Sequence, residues 1–270
     1  MKTTQLTARA SSYCLADPDV CRRTWTLLRR RWSLVLGACL MGNHLHVLVE
    51  DVEPAIEAAW LLRALRRTGG WPGVEVEAGP VLGRTKVRRH VRYIALNPCR
   101  ARIASDPLEW LWSTHRELFG AVSEPWVDRS AILSLDRSVE RHHAYVSADP
   151  RVAVSGTAPP VSEPATSVSV HPLGTIARAA AVATRGGSVE RRGPTRDLFL
   201  HLARLHGWYR TRHLAQIVGV SRRAVTDTWN RPVDVGPGLA VLGDRRLLAA
   251  RWPSARRDFP EREVRGFSPE

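Results

Sequence analysis

Two histidines separated by a single residue, His44-Leu45-His46, carry the first chemical signal in the chain. On an alternating strand the two imidazoles share one face while Leu45, Val47 and Val49 point to the other. Paired imidazoles suit a divalent metal. A bare HxH is more often a pair of satisfied or surface histidines, because ligation needs further donors. The histidine-triad nucleotide hydrolases are excluded, since Leu48 stands where a third histidine would be required. A second signal comes from Lys86, Arg89, His90, Tyr93 and Asn97. Their spacings of three and four place them on one helix face, opposite the apolar stripe Val87, Val91 and Ile94. A tyrosine nucleophile needs a metal or cation to ease ionisation of its phenol and to neutralise the phosphate it attacks. That basic face provides one, and Asn97, one turn beyond Tyr93, offers a carboxamide oxygen as a third metal ligand. For a helical tyrosine taken alone, half-buried packing is the ordinary fate.

The elements that must position these residues follow from periodicity and turn chemistry. Thr3 to Ala10 reads as a strand, and Asp17 caps a helix through Arg31 with Val20, Trp25, Leu27 and Leu28 as its apolar positions. Ser33 to Leu40 and His44 to Glu50 read as two strands joined by a turn at Met41-Gly42-Asn43. A helix from Pro54 to Arg67 follows, stopped by Thr68-Gly69-Gly70. Val74 to Leu82 is a strand interrupted by Gly79-Pro80, and Thr85 to Asn97 is a helix that Pro98 should end. The order βαββαβ followed by α predicts an α+β, ferredoxin-like sandwich with an extra helix that bears Tyr93.

Composition frames the whole. The chain has 270 residues, 44% hydrophobic and 24% charged, which is ordinary for a globular protein. Its 40 Lys plus Arg against 26 Asp plus Glu give a net charge of +14, and only Lys2 and Lys86 are lysines. So large a basic excess favours a polyanionic partner through counterion release, against a background in which arginine is simply abundant. No apolar run approaches the roughly 18 residues of a membrane span, and no signal-peptide core is present, so no membrane and a cytoplasmic location are expected. Cys14, Cys21, Cys39 and Cys99 lack CxxC spacing and are expected to be reduced, inert thiols. Residues 148–172 are rich in Ser, Thr, Pro and Ala and read as a linker between a domain at 1–147 and a helical domain at 173–270. In that second half the helices are expected at 173–184, 195–206, 211–218, 221–230 and 240–251. Thr211 to Asn230 reads as a helix-turn-helix: Ala215 where two helices cross, Gly219 at the turn, Ser221 as cap, and Leu214, Val220 and Val225 as core. Its second helix presents Arg222, Arg223, Thr226 and Asn230, side chains of the types that meet phosphates and base edges. The bland alternative is a helical hairpin with solvated arginines. Trp25, Trp60, Trp110 and Trp112 are expected in packing, and His142-His143 on a solvated surface.

The segments LMGNHLHVLVE (40–50) and RRHVRYIALNPCRARIASDPLEWLWSTHREL (88–118) resemble the IS200-like single-tyrosine HUH transposases, specifically the REP-associated tyrosine transposases. The likeness spans about residues 3–120. It departs where only Gly83-Arg84 remains of an aromatic-Gly-Arg-aromatic pattern, where Ala10 replaces a glycine, and in the short segment 68–85. What the resemblance implies is a nickase and strand transferase of single-stranded or hairpin DNA. In it, Tyr93 is the nucleophile and His44, His46 and Asn97 hold Mg²⁺ or Mn²⁺. Arg84, Lys86, Arg89 and His90 would contact DNA in the first domain, and Arg222, Arg223, Thr226 and Asn230 would add contacts to flanking duplex from the second. Family members commonly act as homodimers, so a homodimer is an expectation. The stretch 173–230 faintly resembles the DNA-binding domain of the DnaA replication initiator. The rival expectation is a DNA-binding regulator, derived from such a transposase, that has lost the reaction.

Overall fold

The computed structural model describes residues 2–155 and 171–252. These fall into two units, one of residues 2–118, 126–155 and 251–252 and the other of 119–125 and 171–250. Residues 148–155, read from composition as linker, pack within the first unit. There Val152 joins Ala95, Leu96, Cys99, Ala104 and Val146 in a buried cluster, and Ser155 N–H donates to the Ser105 carbonyl at 2.8 Å. The remainder of the expected linker, 156–170, and the chain from 253 onward lie outside the described residues.

The first unit is α+β. Its core elements are β1 (Thr3–Arg9), α1 (Pro18–Arg31), β2 (Gly37–Leu40), β3 (His44–Glu50), α2 (Pro54–Thr68), β4 (Glu75–Val81) and α3 (Arg84–Arg100). The strands form one sheet in the order β2-β3-β1-β4, and every neighbouring pair is antiparallel. Asp17 caps α1 as expected, accepting from Asp19 N–H at 2.7 Å. One face of the sheet carries Leu6, Ala8, Ala38, Leu40, Leu45 and Val47, all fully buried. The other carries Thr7, Arg9, Gly37, Cys39, His44 and His46. α2 packs on β1 and β4, and α3 packs on β2 and β3. α3 lies on the histidine face, because a Cβ on Gly37 would stand 3.8 Å from the Ile94 side chain.

Two boundaries differ from expectation. β2 begins at Gly37 rather than Ser33, since Leu34 is exposed and Val35 makes only an isolated parallel bridge to Val127. α3 runs through Pro98 to Arg100. A proline disfavours helical geometry in the residue before it and removes one N–H, but burial of Asn97, Pro98 and Cys99 keeps the last turn helical.

Beyond α3 the unit adds α4 (Arg129–Asp136) and α5 (Val139–Ser147). Trp25 packs against Trp112 and Trp126 with ring centroids 5.8 and 5.0 Å away, while Trp60 meets Trp32 at 5.4 Å. Trp110 is also buried, so all four tryptophans expected in packing are packed. His142 and His143 are fully buried, contrary to the solvated surface expected for them. His142 Nδ1 pairs with Asp136 Oδ2 at 2.6 Å, and His143 Nδ1 pairs with His115 Nε2 at 3.1 Å. Those partners are 6 and 28 residues away, beyond the reach of local spacing.

The second unit is helical: α6 (Leu173–Ala183), α7 (Pro194–Leu205), α8 (Thr211–Val218), α9 (Arg222–Trp229), α10 (Gly236–Gly243) and α11 (Arg245–Leu248). The single helix expected at 240–251 is thus two, divided at Asp244, which caps α11 by accepting from Arg246 N–H. Gly219 ends α8 with φ at +67°, which favours glycine, and Ser221 caps α9 by accepting from Ala224 N–H at 3.2 Å. Leu214, Ala215, Val218 and Val225 are buried between the two helices and their neighbours. Among the described residues no helix is long and apolar enough to cross a membrane.

Candidate active site

Alternation along β3 puts His44 and His46 on one face, and the register with β1 sets them opposite Arg9 and Thr7. Their rings lie 5.1 Å apart between centroids. From α3, half-buried Tyr93 meets His46 edge-on, with centroids 5.5 Å apart and planes at 79°. The structure therefore brings Tyr93 to a histidine pair far from it in sequence. Asn97 follows one turn later, 7% exposed, and its Nδ2 is buried without a hydrogen-bond partner. An orphaned buried N–H costs about 1–3 kcal/mol, a deficit that an incoming acceptor such as a phosphate oxygen can remove.

Each imidazole is oriented by a neutral neighbour. His44 Nδ1 bonds Asn43 Oδ1 at 2.8 Å and His46 Nδ1 bonds Thr7 Oγ1 at 3.0 Å. Asn43 Oδ1 can only accept, so His44 carries its proton on Nδ1 and its lone pair on Nε2. The hydroxyl of Thr7 can accept from His46 in the same way. Burial, then the charges of neighbouring His46 and Arg9, holds His44 well below the usual imidazole range. Burial, then Arg9, Arg100 and His90, lowers His46 to about 3. Both rings are thus neutral, the form that ligates a metal. Among the described residues no three His, Cys, Asp or Glu side chains converge on a metal position. A cation on His44 and His46 would therefore be completed by oxygens, and a carboxamide, water and a phosphate suit Mg²⁺ or Mn²⁺. Two neutral imidazoles and a carboxamide are donor types that suit such an ion.

The thiols offer no competing nucleophile. Burial raises Cys14 to about 11 and Cys99 to about 12, and pushes Cys21 and Cys39 up further.

The residues read as DNA contacts are dispersed. Lys86 and Arg89 are exposed on α3, His90 is half-buried with Nδ1 bonded to the Lys86 carbonyl at 2.9 Å, and Arg84 donates to the Ser134 carbonyl. In the second unit Arg222, Arg223, Thr226 and Asn230 are exposed. Thr226 Oγ1 donates to the Arg223 carbonyl at 2.8 Å, which leaves its hydroxyl only as an acceptor for a ligand. Arg212, Gln216 and Arg222 line a concavity of about 590 Å³ with Ala215, Gly219 and Val220.

Sequence reasoning did not place Thr7 and Arg9 at the site, which they enter through strand register, nor Arg100, whose seven-residue spacing from Tyr93 was available. No protein-family model matches the chain, and neither a curated protein nor a solved structure matches it.

Proposed function

We propose that the chain is a metal-dependent, single-stranded DNA nickase and strand transferase of the REP-associated tyrosine transposase type. The first unit would be a ferredoxin-like HUH domain, a reading supported by the antiparallel strand order β2-β3-β1-β4 and by α3 on the histidine face. The observation that carries the proposal is the edge-on approach of Tyr93 to His46, 5.5 Å between rings. His44, His46 and Asn97 would hold Mg²⁺ or Mn²⁺. When bound, the ion polarises the scissile phosphate and offsets charge developing there.

The rest is work for the chain's own groups. Tyr93 Oη loses its proton to solvent and attacks phosphorus, and the bond to the 3′ oxygen breaks. The leaving oxygen takes a proton and departs as a 3′ hydroxyl, while the 5′ phosphate stays on Tyr93. Attack by a 3′ hydroxyl on that phosphotyrosine reverses the step and rejoins strands, so no nucleotide cofactor is consumed. Burial of the histidines keeps them neutral and fixed by Asn43 and Thr7 throughout.

The second unit would be a helix-turn-helix that adds affinity for flanking duplex. Gly219 at the turn, Ser221 as cap and the exposed Arg222 and Arg223 in the first turn of α9 support this. Incubation of the protein with pooled hairpin-bearing single strands and Mn²⁺ should give an adduct that survives denaturation. Substituting Arg222 and Arg223 together by alanine should lower the salt slope of duplex binding by roughly 1 to 2 without slowing adduct formation on a saturating single strand. An unchanged slope would remove the second unit from DNA recognition.

A further inference from the structure

Arg100 stands two helical turns beyond Tyr93 on α3, on the same stripe as Lys86, Tyr93 and Asn97. Long side chains on a helix lean toward its N-terminus, which sends this guanidinium back over the phenol. Its carbon lies 4.6 Å from the centroid of the Tyr93 ring. Nη1 donates to the Tyr93 carbonyl at 3.2 Å and Nη2 donates to Asp149 Oδ2 at 3.1 Å. In a helix the Tyr93 carbonyl accepts from the Asn97 N–H, so Arg100 bonds its second lone pair.

Asp149 is itself fixed. Its side chain is 5% exposed, with Arg92 Nε also 3.6 Å from Oδ2, and its Oδ1 accepts from Arg151 N–H at 3.1 Å. Burial lowers Arg100 from the usual arginine range, and Asp149 and Tyr93 oppose that change. The charge is retained because a buried carboxylate faces it. Tyr93 thus contacts both the Arg100 guanidinium and the His46 ring, and its carbonyl is tied to the same arginine.

We propose that Arg100, anchored by Asp149, is the positioning residue of Tyr93, clamping the phenol so that its ring meets His46 edge-on. The inference rests on the reading of Tyr93 as nucleophile. Arg100 touches Tyr93 itself, and a group misplaced by about 1 Å can cost roughly a hundredfold in rate.

The test uses full-length protein labelled with 3-fluorotyrosine, whose four tyrosines give four fluorine resonances, with Tyr93 assigned by its loss in Tyr93→Phe. Arg100→Met and Asp149→Asn should each move and broaden the Tyr93 resonance while leaving Tyr13 and Tyr209 in place. Arg100→Lys keeps the charge but loses the planar stack, and should fall between. With a hairpin single strand chosen from the pool by its adduct with the parent, Arg100→Met should slow single-turnover adduct formation at saturating DNA roughly ten- to a hundredfold. Its affinity for that strand, measured in the Tyr93→Phe background, should change less than about twofold, a split that a general loss of structure would not give. Asp149→Asn keeps every Arg100 atom, so it decides the matter if Arg100→Met folds poorly. A Tyr93 resonance and an adduct rate both equal to the parent's would overturn the clamp. If the parent forms no adduct with any strand, the nickase reading fails, and the fluorine resonance alone still decides whether Arg100 holds the ring.

Discussion

His44 and His46 sit on a strand at 6% and 5% exposure, while His142 and His143 sit on α5 at 0% with His115 beside them at 3%. Both groups are buried imidazoles in one unit, yet their partners differ in kind. The strand pair is bonded through Nδ1 to a carboxamide and a hydroxyl, under the positive field of Arg9. The helix group is anchored on a carboxylate through His142, on Asp136 at 2.6 Å, while His143 bonds His115 at 3.1 Å with Asp106 4.0 Å away. Neutral partners orient a ring without satisfying a charge. Carboxylates instead bind the ring into the fold. Asp136 makes this concrete, because burial raises its acidity cost but bonds from His142 and Arg88 hold it below the usual carboxylate range. Arg88 belongs to α3, so the helix group ties to the helix that carries Tyr93, while the strand group meets Tyr93 itself.

If that contrast holds, substitutions in the two groups should separate chemistry from stability. The largest effect belongs to Tyr93→Phe, which deletes one hydroxyl. The adduct should vanish entirely, with DNA binding and the melting temperature nearly unchanged. A denaturation-resistant adduct in this variant, seen by gel, would reject Tyr93 as nucleophile. His46→Gln comes next and should slow adduct formation roughly a hundredfold or more, in line with losses on disturbing a metal site. Its cost in stability should stay under about 1.5 kcal/mol. Mn²⁺ should restore activity at lower concentration than Mg²⁺ in the parent protein, because imidazole suits Mn²⁺ better, and a chelator should abolish it. Activity undiminished in chelator would break the comparison at its stronger end.

His142→Ala should behave in the opposite way. It removes the partner of a buried carboxylate and leaves a void, at a cost of about 3 kcal/mol, read as the loss in a denaturant or thermal melt. Where the protein remains folded, the adduct rate should match the parent's. A variant that melts normally but cleaves slowly would move this group from the scaffold to the site.

The two groups were not equally legible. The HxH spacing, a strand period of two and a helix period near 3.6 put His44, His46 and Tyr93 on determinate faces, so their faces could be read before any coordinates. Their meeting depended on the strand order and on which sheet face α3 covers, and local pattern carries neither. The helix group was misread as solvated because adjacent histidines on a helix have no period of their own. Their burial comes from Asp136, Asp106 and His115, which only tertiary packing brings near. Asp149 was hidden by composition: the Ser- and Pro-rich run begins beside it, but two arginines of α3 hold it in the first unit. The turn of α8 and α9 was legible because Gly219 and Ser221 each have a single local job.

The smallest expected effect is the pH dependence that Asp136 contributes from the helix group. Asp136 has a folded value below its unfolded one. Its ionised form therefore stabilises the fold fully above the unfolded carboxylate range, near pH 4, and that contribution fades as pH falls through the lower folded value. Asp136→Asn keeps the shape of the side chain and removes the titration. The melting-temperature gap between parent and variant should be constant from about pH 5 to 8 and should narrow below about pH 4, where the parent's carboxylate takes up its proton. The strand pair predicts no such acid-side narrowing for Thr7→Val, which removes a neutral partner of His46 and no carboxylate. A gap for Asp136→Asn that stays flat down to pH 3 would mean that the His142 and Arg88 bonds do not favour the ionised form. The distinction between carboxylate-bound and neutral-bound histidines would then lose its energetic basis.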